Sequence, residues 1–526
     1  MTKRNLEEDE ISEDEVEINN NNNNKSINDK KKKKKVHKKA KTHQPLTKHL
    51  PSQHEKQSLP MGGGAKPTNI IPKKKIEIRE ISVNDIGSND LSNSDHRVES
   101  DGVLQWLLSP IIIEDFYDQY FGLKDLVIKK KLQENPFKNF FSKDSIDKML
   151  KNNHLKFSEN IDVTNYVDGQ RVTLNPEGRA YPSQVWKHYK EGCSVRLLNP
   201  QTFNNNVWKL CSSLQTHFQC GTLANVYLTP IGAQGFAPHF DDVDVFIIQL
   251  EGKKEWRLYN PISENQRLPK KSSENFSQDE IGEPYKTVML EAGDVMYFPR
   301  GIIHQAVSPP DTHSLHITIS TYQNNTWGDL IGKVLNRALE VAQEECIEFR
   351  EGLPRDYNKF LGSIHSDKVG DERRMELLEK VNQLWEKLGQ YMPVDIGADE
   401  MSVKYLQDCL PPVLNQHERK HSIEEESTSF KIQMDTRVRL IRQDSVRLVV
   451  EDVAIIFHNM DNTRIYHQTP DPGVIEFTLD CIDALEHIID SYPSYVYVRD
   501  LPVDTDPQKL DIVNALYEKG LLMVDK

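Results

Sequence analysis

The sequence predicts a mainly β protein with added helices: an antiparallel β barrel or jelly roll, then an amphipathic helical module, then a small winged-helix-like domain. Short apolar runs between Gly, Pro and Asp turns predominate up to about residue 325, and helical spacing follows. A polar stretch then precedes a final mixed α+β segment. We divide the chain into a tail (1–100), the barrel (101–325), the helical module (326–413), a linker (414–432) and the winged-helix-like domain (433–526).

The first hundred residues have the composition of a disordered tail. They contain an acidic start, six consecutive asparagines and two lysine clusters, Lys30–Lys35 and Lys73–Lys75. Lysine runs serve as nuclear addresses and as loose contacts to nucleic acid, although a merely solvated tail has the same composition. We expect a location in the nucleus, specifically the nucleolus, and at most weak nucleic-acid contact through this tail.

Composition also limits the classes of protein to which the chain can belong. The chain has no run of 18 apolar residues, and its first residues lack the apolar stretch of a secretory signal, which predicts an intracellular protein without membrane contact. The six cysteines form no CxxC pair, so neither a disulfide framework nor a cysteine zinc site is expected.

Order is expected to begin near Val103, where an apolar and aromatic stretch replaces the polar tail. The barrel strands are expected in short β-branched and aromatic runs bounded by turn residues. These runs are 125–130, 194–198, 223–229, 244–250, 255–259, 287–290, 294–299, 304–307 and 315–322.

The spacing of apolar residues becomes helical after the barrel. One stripe runs from Leu330 to Ala342 and another from Met375 to Leu388. Stripes of this kind are too apolar to remain exposed on an isolated module, so we expect them to be buried in a homodimer, with packing on the protein's own barrel as the alternative. Residues 441–526 carry 7 Lys and Arg against 16 Asp and Glu, which argues against DNA binding by the winged-helix-like domain.

The segment APHFDDVDVFIIQLEGKKEW, residues 237–256, carries the first sign of chemistry. In a strand, side chains two residues apart face the same way, so His239 and Asp241 can point to one metal ion. A histidine and an acid at this spacing are common on ordinary surfaces, and two ligands alone do not define a metal site.

A third ligand is expected downstream, in EAGDVMYFPRGIIHQAVS (291–308). A turn at 299–301 precedes a strand on which His304 shares a face with apolar residues. With His239 and Asp241 it would complete two histidines and one carboxylate, the set favoured by non-haem Fe(II) oxygenases. His313 and His316 are rival third ligands, and a core histidine or a zinc enzyme that activates water are the alternative interpretations.

Lys254 distinguishes an iron site with an acidic co-substrate from a plain metal site. Strand parity places it with Trp256 and Leu258 on the apolar face. A buried ammonium is unfavourable unless an anion accompanies it, and the distal carboxylate of 2-oxoglutarate is such an anion. An internal salt bridge, or extension of the side chain to the barrel rim, would explain the same residue without a co-substrate.

Three segments together resemble the JmjC-type ribosomal oxygenases, specifically the nucleolar subfamily described as bifunctional histidyl hydroxylases and lysine demethylases. They are NVYLTPIGAQGFAPHFDDVDVFIIQLEGKKEWRLY, GDVMYFPRGIIHQAVS and HSLHITISTYQNNTWGDL, and the resemblance extends from about residue 103 to the C-terminus. It implies a JmjC double-stranded β-helix (jelly roll or cupin-like), a helical dimerisation module and a C-terminal winged-helix domain.

The resemblance also implies the site. His239, Asp241 and His304 would be the catalytic Fe(II) ligands and Lys254 the 2-oxoglutarate anchor, with O2 as the second co-substrate. A further set, Arg196, Asn225, Tyr227 and Ser320, would line the substrate pocket.

These pocket residues favour one of the two family activities. Arg196 would repel a methylated ammonium, whereas Asn225, Tyr227 and Ser320 offer donors and acceptors for a neutral imidazole. We therefore expect hydroxylation of a histidine in a basic large-subunit ribosomal protein. A histone methyl-lysine demethylase acting on histone tails in chromatin, and a catalytically silent JmjC binding protein, are the alternatives.

Overall fold

The computed structural model describes residues 78–87, 95–130, 135–322, 324–367, 370–424, 430–465, 471 and 473–525. The lysine clusters of the tail lie outside these residues. No helix in the described part of the chain is long and apolar enough to cross a membrane.

The barrel is built from antiparallel strands, and the fold class expected from the sequence is confirmed. The strands are β1 (Leu126–Ile128), β2 (Ile161–Val167), β3 (Gln170–Thr173), β4 (Ser194–Leu198), β5 (Thr222–Thr229), β6 (Val243–Tyr259), β7 (Lys286–Glu291), β8 (Val295–Phe298), β9 (Ile303–Val307) and β10 (Ser314–Tyr322). They pair in the order β1-β8-β6-β10-β5-β4-β2-β3, while the second half of β6 pairs with β7 and β9. The β2–β3 hairpin was not among the predicted strands.

Strand β6 differs from the prediction, which gave two separate strands at 244–250 and 255–259. The strand continues between these segments, because Gly252 has φ +63° and forms a bulge opposite β10, whose register shifts between Leu315 and His316. A β-carbon on Gly252 would lie 1.8 Å from the carbonyl oxygen of His313, so only glycine fits here.

Helices cover the outer face of the sheet. They are α1 (His96–Leu108), α2 (Ile113–Gln119), α3 (Lys143–Asn152), α4 (Pro182–Lys190) and α5 (Asn205–Phe218). On β5, Ala224, Val226 and Leu228 are buried in the core that these helices share with the sheet, so the alternate residues of the strand face the barrel interior. The short α6 (Gln278–Ile281) lies elsewhere and buries Ile281 in a separate cluster with Phe240, Tyr259 and Ile303. The packed chain begins before the predicted boundary at residue 100, since Ile81 in 78–87 is buried and α1 starts at His96.

The helical module contains α7 (Trp327–Glu345), α8 (Glu372–Leu388) and α9 (Val394–Asp408). Helix α7 buries Val334, Ala338 and Ala342. Helix α8 buries only Leu388 of its stripe. The other apolar residues of that stripe remain exposed, namely Met375, Leu378, Val381 and Trp385.

The C-terminal domain has its own core between two three-stranded sheets and two helices. Its elements follow the short helix α10 (Gln416–Lys420) and are β11 (Arg437–Leu440), β12 (Val446–Val450), β13 (Ala454–His458), β14 (Gly473–Phe477), α11 (Ile482–Asp490), β15 (Val496–Tyr497), α12 (Asp506–Glu518) and β16 (Leu522–Asp525). Residues 414–424 of the predicted linker are packed, because α10 lies within them and Glu418 of α10 forms a buried ion pair with Arg442 at 2.9 Å.

Contacts outside this core hold the C-terminal domain against the barrel. The imidazole of His96 in α1 hydrogen-bonds to Tyr492 at 2.7 Å and forms an ion pair with Asp444. The guanidinium of Arg464, in the C-terminal domain, lies 3.4 Å from the ring centroid of Trp208 on α5. The N-terminal helix, the barrel and the C-terminal domain are thus joined by polar groups that have little access to water.

The Glu418–Arg442 pair generates a stability prediction. We expect Glu418→Gln to lower the free energy of unfolding by about 3 kcal/mol, because it leaves the buried Arg442 without its anion. The matched control is Glu424→Gln, which removes the exposed pair with Arg419 and should cost less than about 1 kcal/mol. Urea unfolding of both variants measures the difference, and equal effects would show that burial of the pair is unimportant.

Candidate active site

Three side chains with metal-ligating atoms meet at one end of the barrel interior. The ligating atoms of His239, Asp241 and His304 lie within 4.8 Å of one another, and no other group of three His, Cys, Asp or Glu side chains with this geometry occurs in the described residues. The Nε2 atom of His239 is 3.8 Å from Asp241 Oδ1, and that of His304 is 3.7 Å from Asp241 Oδ2. The spacing leaves room for an ion between them.

The backbone brings these residues together. His239, just before β6, and His304 in β9 form an antiparallel bridge in which each amide donates to the other residue's carbonyl, at 3.2 and 2.9 Å. Gly301, in the turn before β9, donates its amide to the carbonyl of Asp241 at 3.0 Å. The predicted turn at 299–301 therefore positions both Asp241 and His304.

The two imidazoles have the tautomer that a metal requires. His239 Nδ1 lies 2.8 Å from the carbonyl of Ala237, and His304 Nδ1 lies 3.0 Å from the carbonyl of Ile302. Each Nδ1–H therefore donates to the backbone, which leaves Nε2 with a lone pair directed at the cluster. Burial, together with the neighbouring His239, lowers the pKa of His304 to about 4, so His304 is neutral and able to bind a cation.

The rival third ligands lie elsewhere. His313 faces Glu251, with Nε2 3.1 Å from its carboxylate. His316 stacks on Tyr227 with ring centroids 4.9 Å apart and meets Trp256 edge-on at 5.3 Å, beside Lys254. Neither belongs to the cluster.

Lys254 is buried inside the barrel, as strand parity indicated. Its ammonium donates to the Thr229 hydroxyl at 3.0 Å, and burial lowers its pKa to about 7. No ion pair to Lys254 is formed by the described residues, which removes the internal salt bridge as an explanation. A buried cation site of this kind, within the same barrel as the cluster, suits the carboxylate of a small anion.

Arg196 and Tyr227 form part of a polar wall. Arg196 Nε donates to Asp162 at 3.0 Å, and burial raises the pKa of Tyr227 despite the adjacent Arg196. The ring of Phe236 meets Tyr227 edge-on at 5.3 Å and lies 6.5 Å from the His239 ring. This chain of contacts places the wall next to the cluster.

The other two predicted pocket residues lie on the same interior face. Asn225 alternates with the outward-facing residues of β5 and pairs in register with Thr318 of β10. Ser320, two positions further along β10, is buried and pairs with Leu223. Thr229, Asp162 and Phe236 were not predicted. Thr229 could have been predicted, because it shares a face of β5 with Asn225 and Tyr227. Asp162 lies on β2, which was not predicted, and Phe236 lies in a loop.

A jelly-roll barrel that directs two histidines, one carboxylate and one buried lysine into its interior defines a class: the JmjC oxygenases. The family model described as "JmjC domain" matches residues 196–330, and the model "Ribosomal oxygenase 1, C-terminal winged helix domain" matches residues 410–526.

Curated relatives specify the family. The chain is 72% identical over 527 residues to "Bifunctional lysine-specific demethylase and histidyl-hydroxylase NO66" of Dictyostelium discoideum, covering 100% of both chains. It is 43% identical over 440 residues to "Ribosomal oxygenase 1" of Danio rerio, covering 82% of this chain and 80% of the relative. The solved structure of ycfD from E. coli aligns with a TM-score of 0.42 and 14% identity over 79% of this chain and 98% of that one.

The chain belongs to the ribosomal oxygenase 1 family of JmjC oxygenases. It is accordingly an enzyme, a dioxygenase whose metal is Fe(II) and whose co-substrates are 2-oxoglutarate and O2.

Proposed function

We propose that the protein hydroxylates a histidine side chain in a basic protein of the large ribosomal subunit. The observation that carries the proposal is the position of the pocket wall. Arg196 and Tyr227 stand beside the histidine–aspartate cluster, where they suit a neutral polar side chain better than a cation. The printed name of the Dictyostelium relative includes both histidyl hydroxylation and lysine demethylation.

We assign the three clustered side chains, His239, Asp241 and His304, as the ligands of Fe(II). The donor set fits, because two neutral imidazoles with free Nε2 atoms and one carboxylate leave positions on the metal open. Lys254, with Thr229, is assigned as the anchor of the distal carboxylate of 2-oxoglutarate. When bound, the iron with its two co-substrates supplies the oxidising power that replaces a C–H bond by C–OH.

The protein's own residues supply positioning. The bridge between His239 and His304 fixes the ligand geometry before any metal binds, so little ordering is needed on binding. Asn225, Tyr227 and Ser320 offer hydrogen bonds that can hold an imidazole with one carbon toward the cluster. The apolar interior formed by Val245, Trp256 and their neighbours keeps bulk water away from the reacting bond.

Three other functions are less well supported. Demethylation of a lysine requires a site for a methylated ammonium, and Arg196 opposes one. A silent binding protein would have no use for a complete ligand set and an unpaired buried lysine, and a zinc hydrolase would have no use for Lys254.

We also propose that the protein acts as a homodimer in the nucleus, specifically the nucleolus. The exposed stripe on α8 supports the dimer, because such a surface is normally covered by a partner. The lysine clusters of residues 1–100 support the location and limit nucleic-acid contact to that tail, since the C-terminal domain is acidic.

The substrate assignment is tested by mass spectrometry of large-subunit ribosomal proteins and methylated histone peptides after incubation with the purified protein, Fe(II) and 2-oxoglutarate. We expect a mass gain of one oxygen on a histidine and no release of formaldehyde. Formaldehyde from methyl-lysine peptides with unmodified histidines would establish the demethylase instead.

The metal assignment predicts that His304→Ala abolishes both metal binding and 2-oxoglutarate turnover while the fold persists, because His304 contributes a ligand and little apolar packing. His313→Ala is the matched control. Because His313 faces Glu251 and not the cluster, this variant should retain the metal. Metal content after anaerobic loading and circular dichroism measure the two effects. A His304→Ala protein with full metal content would show that the ligand set is wrong.

Lys254 predicts a pH dependence of co-substrate binding. Its pKa is lowered to about 7 in the free protein, and a bound dianion stabilises the protonated form and raises that pKa. Binding therefore takes up a proton above pH 7, so the Kd of N-oxalylglycine should rise toward about tenfold per pH unit between pH 7 and 9.

Calorimetry in two buffers of different ionisation enthalpy measures this proton uptake directly. The expected result is close to one proton at pH 8.5 and much less at pH 6.5. A Kd that does not change with pH would mean that Lys254 is already charged in the free protein.

The dimer assignment predicts that Trp385→Glu gives a monomer, because a carboxylate would be buried in the paired stripe. Trp385 is 58% exposed in the single chain, so the substitution should leave the fold intact. Gln383→Glu on the same helix, outside the stripe, is the control and should remain dimeric. Light scattering at micromolar concentration decides, and a monomeric parent protein would overturn the assignment.

A further inference from the structure

A second arginine stands at the pocket wall beside Arg196. Arg171, on β3 at the edge of the sheet, places its guanidinium carbon 4.3 Å from the ring centroid of Phe236. Arg196 approaches the same ring at 5.4 Å. Phe236 is the residue that links the wall to the metal cluster, since its ring meets both Tyr227 and His239.

We propose that Arg171 is a specificity-determining residue that excludes cationic target side chains, so that the pocket accepts a neutral imidazole and rejects a methylated lysine. The inference rests on the proposed function and deepens it. It concerns the class of substrate and not the chemistry of the iron site.

The charge balance of the wall is the first support. Asp162 is the carboxylate of this wall, and it is engaged by Arg196 at 3.0 Å and by Asn175 at 2.7 Å. None of the ion pairs found among the described residues includes Arg171, and its Nε atom is buried without a hydrogen-bond partner. Two guanidinium groups with one carboxylate leave the wall with one positive charge in excess.

The aromatic rings are the second support. A methylated ammonium binds to the open faces of aromatic rings. Here Arg171 already lies over Phe236, and the imidazole of His316 stacks on Tyr227 with the planes 6° apart. The protein's own side chains therefore occupy one face of each of these two rings, which removes that face from a methyl-lysine.

Among the described residues, Asp241 also acts electrostatically on Tyr227 of the wall, but it is a member of the metal cluster and so is not free to pair with a substrate cation. A neutral imidazole meets none of these obstacles, because it requires hydrogen bonds and not a counter-charge.

The test uses three peptides with the same flanking sequence, taken from a basic large-subunit ribosomal protein. The central residue of the first peptide is histidine, and that of the second is trimethyl-lysine. The third carries norleucine with a tert-butyl group on its terminal carbon, a neutral residue with the shape of trimethyl-lysine. Affinities are measured by fluorescence anisotropy on the full chain loaded with Mn(II) and N-oxalylglycine. The ratio of the Kd of the charged peptide to that of its neutral isostere isolates the effect of charge.

We expect Arg171→Gln to lower this ratio about tenfold, as removal of one nearby charge implies. Arg171→Lys keeps the charge and should keep the ratio within about threefold of the parent value. The matched control is Arg179→Gln, because Arg179 also lies over an aromatic ring, 5.0 Å from Tyr181, but outside the pocket. An unchanged ratio in Arg171→Gln, or an equal fall in Arg179→Gln, would overturn the inference.

The proposed function and this inference fail in different ways. If the parent protein does not hydroxylate the histidine peptide but the ratio falls as expected, only the reaction is wrong. If hydroxylation occurs and the ratio does not respond to Arg171, only the inference is wrong. Should Arg171→Gln unfold, as judged by its thermal midpoint, Arg171→Met retains the length of the side chain and its packing on Phe236.

Discussion

Strand β6 stays hydrogen-bonded through its bulge because Gly252 adopts a φ of +63° beside the carbonyl of His313. The first half of the strand pairs with β8 and β10, and the second half pairs with β7 and β9. One chain segment thus belongs to both sheets of the jelly roll. Its start follows directly on His239 and Asp241, and its second half carries Lys254, so metal ligands and anion anchor share one rigid element.

Buried charges occur both in the fold and at the candidate site. Arg442 is paired with Glu418, whereas the buried Arg439 of the C-terminal domain forms no ion pair among the described residues and donates to the carbonyl of Pro493. Lys254 and Arg171 have no ion-pair partner among the described residues, and both lie around the barrel interior. An unpaired buried cation is unfavourable for stability, and the position of Lys254 in the barrel that holds the metal cluster makes it a candidate ligand site.

Strand parity is a local property, so the sequence indicated which candidate side chains face the same way. The two-residue spacing that joins His239 to Asp241 and Asn225 to Tyr227 does not depend on how the sheets are arranged. The division of β6 was wrong because a glycine between apolar runs has the same local pattern in a turn and in a bulge. Asp162 and Phe236 could not be predicted, because their relation to the site arises from the pairing of β2 with β4 and from the path of a loop.

Electrostatics acts on the proposed basic substrate at two ranges, and the two effects have opposite signs. Residues 441–526 carry a net charge of −9, which attracts a basic protein over distances comparable to the Debye length. Inside the barrel the wall with Arg171 and Arg196 is positive, and charge at contact distance is weakly screened. The acidic surface therefore favours a cationic partner, while the pocket favours an uncharged residue within it. A histidine surrounded by lysines and arginines satisfies both conditions, whereas a methyl-lysine in the same surroundings satisfies only the first.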